Sequence, residues 1–123
     1  MHVALSNAGG EVLFGRVVVA RTFTARLRGL MGRARLDDDE GLYLPGDTGI
    51  HMLFMRFPID CLFVTRPDGT GALQVVDIRE HLRPWTGLVV RVAGAQGAIE
   101  LPASSVRERG VRVGDLLRIS PWP

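Results

Sequence analysis

The alternation of apolar and polar positions changes period several times along this chain, and each change marks an element. From 11 to 20 valines alternate loosely with polar residues, placing Val12, Phe14 and Val18 on one face as in a half-buried strand. From Thr24 the apolar residues Ala25, Leu27, Leu30 and Met31 recur at helical spacing, which predicts a short amphipathic helix ending near Gly32 with Thr22 or Thr24 as its N-cap. Gly29 falls inside that helix, where glycine costs about 1 kcal/mol relative to alanine, so another backbone is expected to pack close to it. Residues 41–44 read as a short strand closed by Pro45-Gly46.

The densest apolar run spans 49–64 and carries His51, Arg56, Asp60 and Cys61 within it. It predicts strand segments at 50–55 and 59–66, with Pro58, which cannot donate to a ladder, at the bend between them. Arg66-Pro67-Asp68-Gly69-Thr70 has turn chemistry, and alternation resumes over 72–79, so a hairpin is expected over 59–79. Residues 80–87 show no period and read as a loop; 88–92 and 98–101 read as strand separated by an Ala-Gly run. A helical turn or two follows from Pro102, capped by Ser104 and ended at Gly110, before a last strand over 111–119 and a Ser-Pro-Trp-Pro tail. About seven short strands and two short helices, with no βαβ alternation, predict a mainly β, α+β fold: one mostly antiparallel sheet or barrel-like domain. The whole chain is expected to be a single compact domain with its core over about 11–119.

Composition narrows the function classes. Hydrophobic residues make up 46% of 123, ample for a core. All 15 basic residues are arginine, yet the formal net charge is only +2, because cations and carboxylates are mixed along the chain and form no basic arm. Nucleic-acid binding is therefore not expected. Cys61 is the only cysteine, so neither an intramolecular disulfide nor a thiolate-rich zinc site can form within one chain. The first ten residues have no basic segment ahead of an apolar core, and no apolar run approaches the roughly 20 residues that cross a bilayer. A soluble, cytoplasmic protein without a signal or membrane span is the expectation.

Few residues carry candidate chemistry. The acidic run at 37–40 lacks the alternating ligands and glycine turn of a calcium loop, and reads as a solvated loop pairing with nearby arginines. Arg26, Arg28, Arg33 and Arg35 read as a solvated face rather than an anion site. Asp60 lies between Ile59 and Cys61, where a carboxylate is costly unless paired; Arg56, Arg26 and Arg28 are its candidate partners. His51 could be a ligand, a base or a strand histidine. A copper(I) set of His51, Met52 and Met55 fails because alternation turns Met52 to the other face, and adding His81 and Cys61 gives no recognised zinc spacing. Cys61 has no basic neighbour to activate it, Ser104-Ser105 lacks a nucleophile elbow, and no phosphate loop or dinucleotide fingerprint occurs.

Several of these stretches, taken together, resemble domain-of-unknown-function family 192. They are Thr24-Ala-Arg-Leu-Arg-Gly-Leu-Met-Gly-Arg33, the strand from Gly41, the segment Ile50 to Phe63, Leu101-Pro-Ala-Ser and Gly114-Asp115. The resemblance implies a mainly β domain with no established activity. Other members often carry an export or lipid-anchor leader, and many read Trp-Met-Lys-Asn-Thr where this chain has His-Met-Leu-Phe-Met-Arg-Phe ahead of Pro58, so any role of that asparagine does not transfer. The reading that follows is a non-enzymatic binding or accessory module with a ligand site built from His51, Arg56, Asp60, Arg26 and the Gly29 turn, taking a small anionic ligand or a protein partner. A partner would dock on an exposed sheet edge or an apolar patch near Trp85. The alternative is a sensor or enzyme using Asp60 and His51 as acid and base with arginines holding an anion. No cofactor and no metal are expected.

Overall fold

The computed structural model describes residues 1–30 and 33–122, with only the backbone described at positions 23 and 27–29. Seven strands close a barrel in the order β1 (His2–Asn7), β2 (Val12–Val19), β3 (Glu40–Pro45), β8 (Gly97–Pro102), β5 (Ile59–Val64), β6 (Ala72–Leu82) and β9 (Leu116–Ser120), which pairs back onto β1. β4 (Ile50–His51) and β7 (Leu88–Val89) make a separate two-stranded sheet, and the helices are α1 (Phe23–Leu30) and α2 (Ser105–Glu108). The mainly β, barrel-like expectation holds. No helix among the described residues is long and apolar enough to cross a membrane.

All six residues of β5, which pairs with β6 and β8, are buried. Alternation splits the buried residues into two layers. Leu62, Val64, Ile99, Leu101 and Tyr43 join Leu5, Phe14 and Ile119 in one apolar cluster inside the barrel. The opposite parity, Leu42, Leu44, Cys61, Phe63 and Ala98, forms a second cluster with Leu30, Met52, Met55 and Val89, so α1 and the small sheet cover the outside of β3-β8-β5. That outer layer carries Glu100, in register with Leu42 and Cys61, whereas Asp60 shares the parity of Leu62 and Val64.

The hairpin over 59–79 is present as β5 and β6, its turn held by Asp68, whose carboxylate accepts Thr70 N at 2.7 Å and Ala72 N at 3.1 Å. Thr22 caps α1, its hydroxyl accepting Ala25 N at 3.0 Å. The helix end expected at Met31–Gly32 lies outside the described residues. Several expectations are corrected. β2 and β3 are parallel neighbours joined through α1, one βαβ crossover where no such alternation was expected. A single unit leaves no repeating signal, yet parallel neighbours require such a crossover. β1 precedes the expected core boundary, since Val3 and Leu5 are buried. β6 continues through Glu80 and His81, which are exposed and so hide the strand from an apolar pattern. The expected strands at 50–55 and 88–92 shrink to β4 and β7, because the chain turns back at Met52, whose carbonyl accepts Met55 N at 3.1 Å and Trp85 N at 2.8 Å. Ser104 precedes α2 but gives it no side-chain cap; its hydroxyl meets His81 Nε2 at 3.0 Å.

Candidate functional site

Leu42, Glu100 and Cys61 stand in one row across β3, β8 and β5, all on the outer face. Glu100 is thus a carboxylate at the bottom of an apolar layer, with its side chain 0% exposed. Arg26 reaches it from α1, which the crossover lays over this face, and donates Nε to Glu100 Oε1 in a buried ion pair. The pair is half complete: among the described residues, Arg26 Nη2 and Glu100 Oε2 are buried with no hydrogen-bond partner. Burial outweighs the neighbouring guanidinium and pushes the Glu100 carboxyl up to about 7. Burial, with Glu100 beside it, also raises the Cys61 thiol well above its ordinary range, which makes it an inert core thiol.

Above the pair lies a pocket of about 230 Å³ whose polar lining is Arg21, Thr22, Arg26, Asp47 and His51, with Ala20, Leu44 and Ile50 as apolar wall. Each element has a reason to be there. Arg21 and Thr22 come from the start of α1, whose N-terminus adds positive potential at the mouth. His51 is fixed by β4, which pairs Ile50 with Val89 and His51 with Leu88. Gly49 is required at the edge of that pairing, because a Cβ there would fall 2.2 Å from the Val90 carbonyl oxygen. Burial raises the Asp47 carboxyl against the pull of Arg26 and His51, while burial first and then Arg26 lower the His51 imidazole. The site therefore disfavours excess charge of either sign.

Glu100 has a direct consequence for stability against pH. Its carboxyl rises from the ordinary 4.5 to about 7 on folding, so the folded state holds the proton more tightly than the unfolded chain. This contribution favours the fold below about pH 4.5 and is lost as pH climbs to about 7, by an amount on the order of 2–3 kcal/mol. Chemical denaturation at steps across that window should give a decline in the wild type that Glu100→Gln lacks. Parallel pH profiles for the two proteins would contradict it.

Of the residues singled out in the sequence, Arg26 and His51 line this pocket together. Arg56 is exposed beyond β4 and is not among the lining residues. Gly29 lies on α1, and the close packing expected against it lies outside the described residues. Asp60 is fully buried elsewhere, and its partner is not an arginine: Oδ1 accepts His81 N at 3.0 Å and Oδ2 accepts Val106 N at 3.2 Å. The carboxylate ties β6 and α2 to β5, and both its oxygens are occupied. Sequence reasoning missed Glu100 and Asp47. Glu100 sits in Ala-Ile-Glu-Leu, the same pattern of one acid in an apolar strand that drew attention to Asp60. The acidic run does pair with nearby arginines, Arg16 with Asp37 and Asp39, and Arg33 with Glu40. No group of three or more potential metal ligands occurs among the described residues.

Comparison with known proteins agrees with this architecture. The profile of domain-of-unknown-function family 192, described as an uncharacterized ACR, matches residues 4–119. A UPF0127 protein of Thermococcus sibiricus is 33% identical over 115 residues, covering 90% of this chain and 70% of that protein. A UPF0127 protein of Thermococcus kodakarensis is 31% identical over 121 residues, 95% of this chain and 73% of the relative. Among solved structures, a candidate transcription regulator from Sinorhizobium meliloti superposes with a TM-score of 0.75 at 25% identity, covering 97% of this chain and 92% of that one. A protein of unknown function from Novosphingobium aromaticivorans gives 0.73 at 23% identity, with 96% and 84% covered, and shares the fold.

Proposed function

The chain belongs to domain-of-unknown-function family 192, and from the chemistry of its pocket we propose that it is a binding module for a small carboxylate that also carries a hydrogen-bond donor. The observation behind this reading is Arg26: a guanidinium only 4% exposed that lines the pocket and whose Nη2 has no partner among the described residues. A buried donor left unpaired costs about 1–3 kcal/mol, and a charge-assisted bond to a ligand oxygen removes that penalty. The α1 N-terminus and Arg21 favour the same sign of charge.

Size and Asp47 narrow the class. A pocket of about 230 Å³ lies below the usual range for drug-sized ligands, which favours molecules of a few heavy atoms over nucleotides. Asp47 would repel a bare anion, whereas a hydroxyl or ammonium beside the ligand carboxylate can donate to it. Hydroxy acids and small amino acids meet both demands. As pH falls below about 7, Glu100 takes up a proton and ceases to neutralise Arg26, so the carboxylate binds more tightly.

Thermal unfolding with acetate, glycolate, glycine and inorganic phosphate tests this reading. Glycolate or glycine should raise the midpoint most, and more at about pH 6 than about pH 8, since a ligand at a hundred times its dissociation constant adds about 2.7 kcal/mol. His51→Ala, which leaves the ion pair intact, should weaken binding about tenfold. A midpoint unmoved by every probe at both pH values would reject the reading.

A further inference from the structure

Beyond His51, which it shares with the pocket, one end of the molecule carries exposed apolar side chains that the pocket does not use. The segments that meet there are 51–56 and 83–91, joined by the β4–β7 pairing and by Trp85 N donating to the Met52 carbonyl at 2.8 Å. They leave Leu53, Phe54, Trp85, Leu88 and Val90 exposed together, Leu88 at 63% and Val90 at 77%. Leu88 and Val90 share one face of their strand, opposite the buried Val89. Phe54 and Trp85 meet edge to face with centroids 5.2 Å apart. Both have φ in the left-handed region, 68° and 65°, which is costly for bulky side chains. Each ring keeps about half of its surface exposed, 54% for Phe54 and 52% for Trp85, so burial offsets that backbone cost only in part.

Within the segments that build this tip the charge is one-sided. Residues 48–59 and 81–97 contain Arg56, Arg83 and Arg91 and no aspartate or glutamate. All three arginines are exposed, and among the described residues none joins an ion pair. The nearest acids along the chain are Asp47, which lines a shallow groove together with Leu88 and Val90 and whose carboxyl is raised by burial, Glu80, which faces Arg107, and the buried Asp60. We propose that this tip docks on the surface of an anionic bilayer, its aliphatic and aromatic side chains entering the headgroup boundary and its arginines meeting lipid phosphates and carboxylates. Tryptophan beside aliphatic side chains with a basic rim is the chemistry such an interface selects. A second copy of this chain would bring like-charged rims together, which disfavours self-association. A nucleic acid would leave Leu53, Leu88 and Val90 without stacking partners.

Co-sedimentation with vesicles of phosphatidylcholine containing about one-third phosphatidylglycerol tests this, alongside pure phosphatidylcholine. The intact chain should bind the anionic vesicles and lose that binding in about 1 M salt, where charges are screened within a few ångströms. Trp85→Ser/Val90→Ser should bind about tenfold less, as should Arg56→Gln/Arg83→Gln/Arg91→Gln. Both replace exposed side chains, and an unchanged thermal midpoint verifies that each variant is folded. In a Trp122→Phe background, emission from Trp85 should move to shorter wavelength on binding. Absence of binding to anionic vesicles, or binding undiminished in Trp85→Ser/Val90→Ser, overturns the proposal and turns the search to an acidic protein partner; neither result bears on the pocket.

Discussion

Arg26→Met should lower the stability of this protein by about 3–5 kcal/mol, the loss expected when one member of a buried ion pair is removed. The reason is the state of the partner left behind. Glu100 is fully enclosed by β3, β5 and α1, and without the guanidinium its carboxylate has neither counter-charge nor solvent. It will then take a proton, so the penalty is limited by the cost of protonation and should be smaller at about pH 5 than at about pH 8. The double variant Arg26→Met/Glu100→Leu should recover most of the loss, because replacing both members by apolar groups is often neutral. Urea denaturation of the two variants at both pH values checks this. A single variant as stable as the wild type would mean that the pair is not buried as described.

Asp60→Asn should cost nearly as much as Asp60→Ala, about 2–5 kcal/mol, although asparagine preserves the shape. The carboxylate accepts two backbone N–H groups, one from His81 and one from Val106. An amide offers one acceptor and turns a donor toward the second N–H. The free end of β6 and the start of α2 should loosen together, seen as faster amide exchange at His81 and Val106. Glycolate binding by the folded fraction should be unchanged, which separates this residue from the pocket. An Asp60→Asn protein of full stability that fails to bind would instead return Asp60 to the ligand site.

The contrast between Asp60 and Glu100 marks how far the sequence could be read. Each is one acid inside an apolar strand, so the pattern alone identifies a buried carboxylate that must be satisfied. What satisfies it is tertiary: Arg26 is 74 residues from Glu100, and the two amides on Asp60 are 21 and 46 residues away. The β5–β6 hairpin was legible because the alternation of Leu62, Val64, Leu73 and Val75 agrees with the Asp68-Gly69 turn between them. β1 was not, since its two buried residues, Val3 and Leu5, form a pattern too short to stand out before the Asn7-to-Gly10 turn. Alternation also misled at His51. The chain leaves strand geometry at Met52, so Met52 and Met55, which alternation would turn to opposite faces, are buried in the same cluster while Leu53 between them is exposed.

The pocket reading depends on a ligand oxygen reaching Arg26, and that contact can be observed directly. Side-chain guanidinium resonances of Arg26 should be followed by NMR while glycolate is added at about pH 6, where Glu100 is largely protonated. The Arg26 Nη signals should move and saturate together with the His51 ring signals, and Arg109, in the separate groove beside Leu13, should stay still. Arg26 signals that do not move, or movement confined to Arg109, would contradict the proposed site.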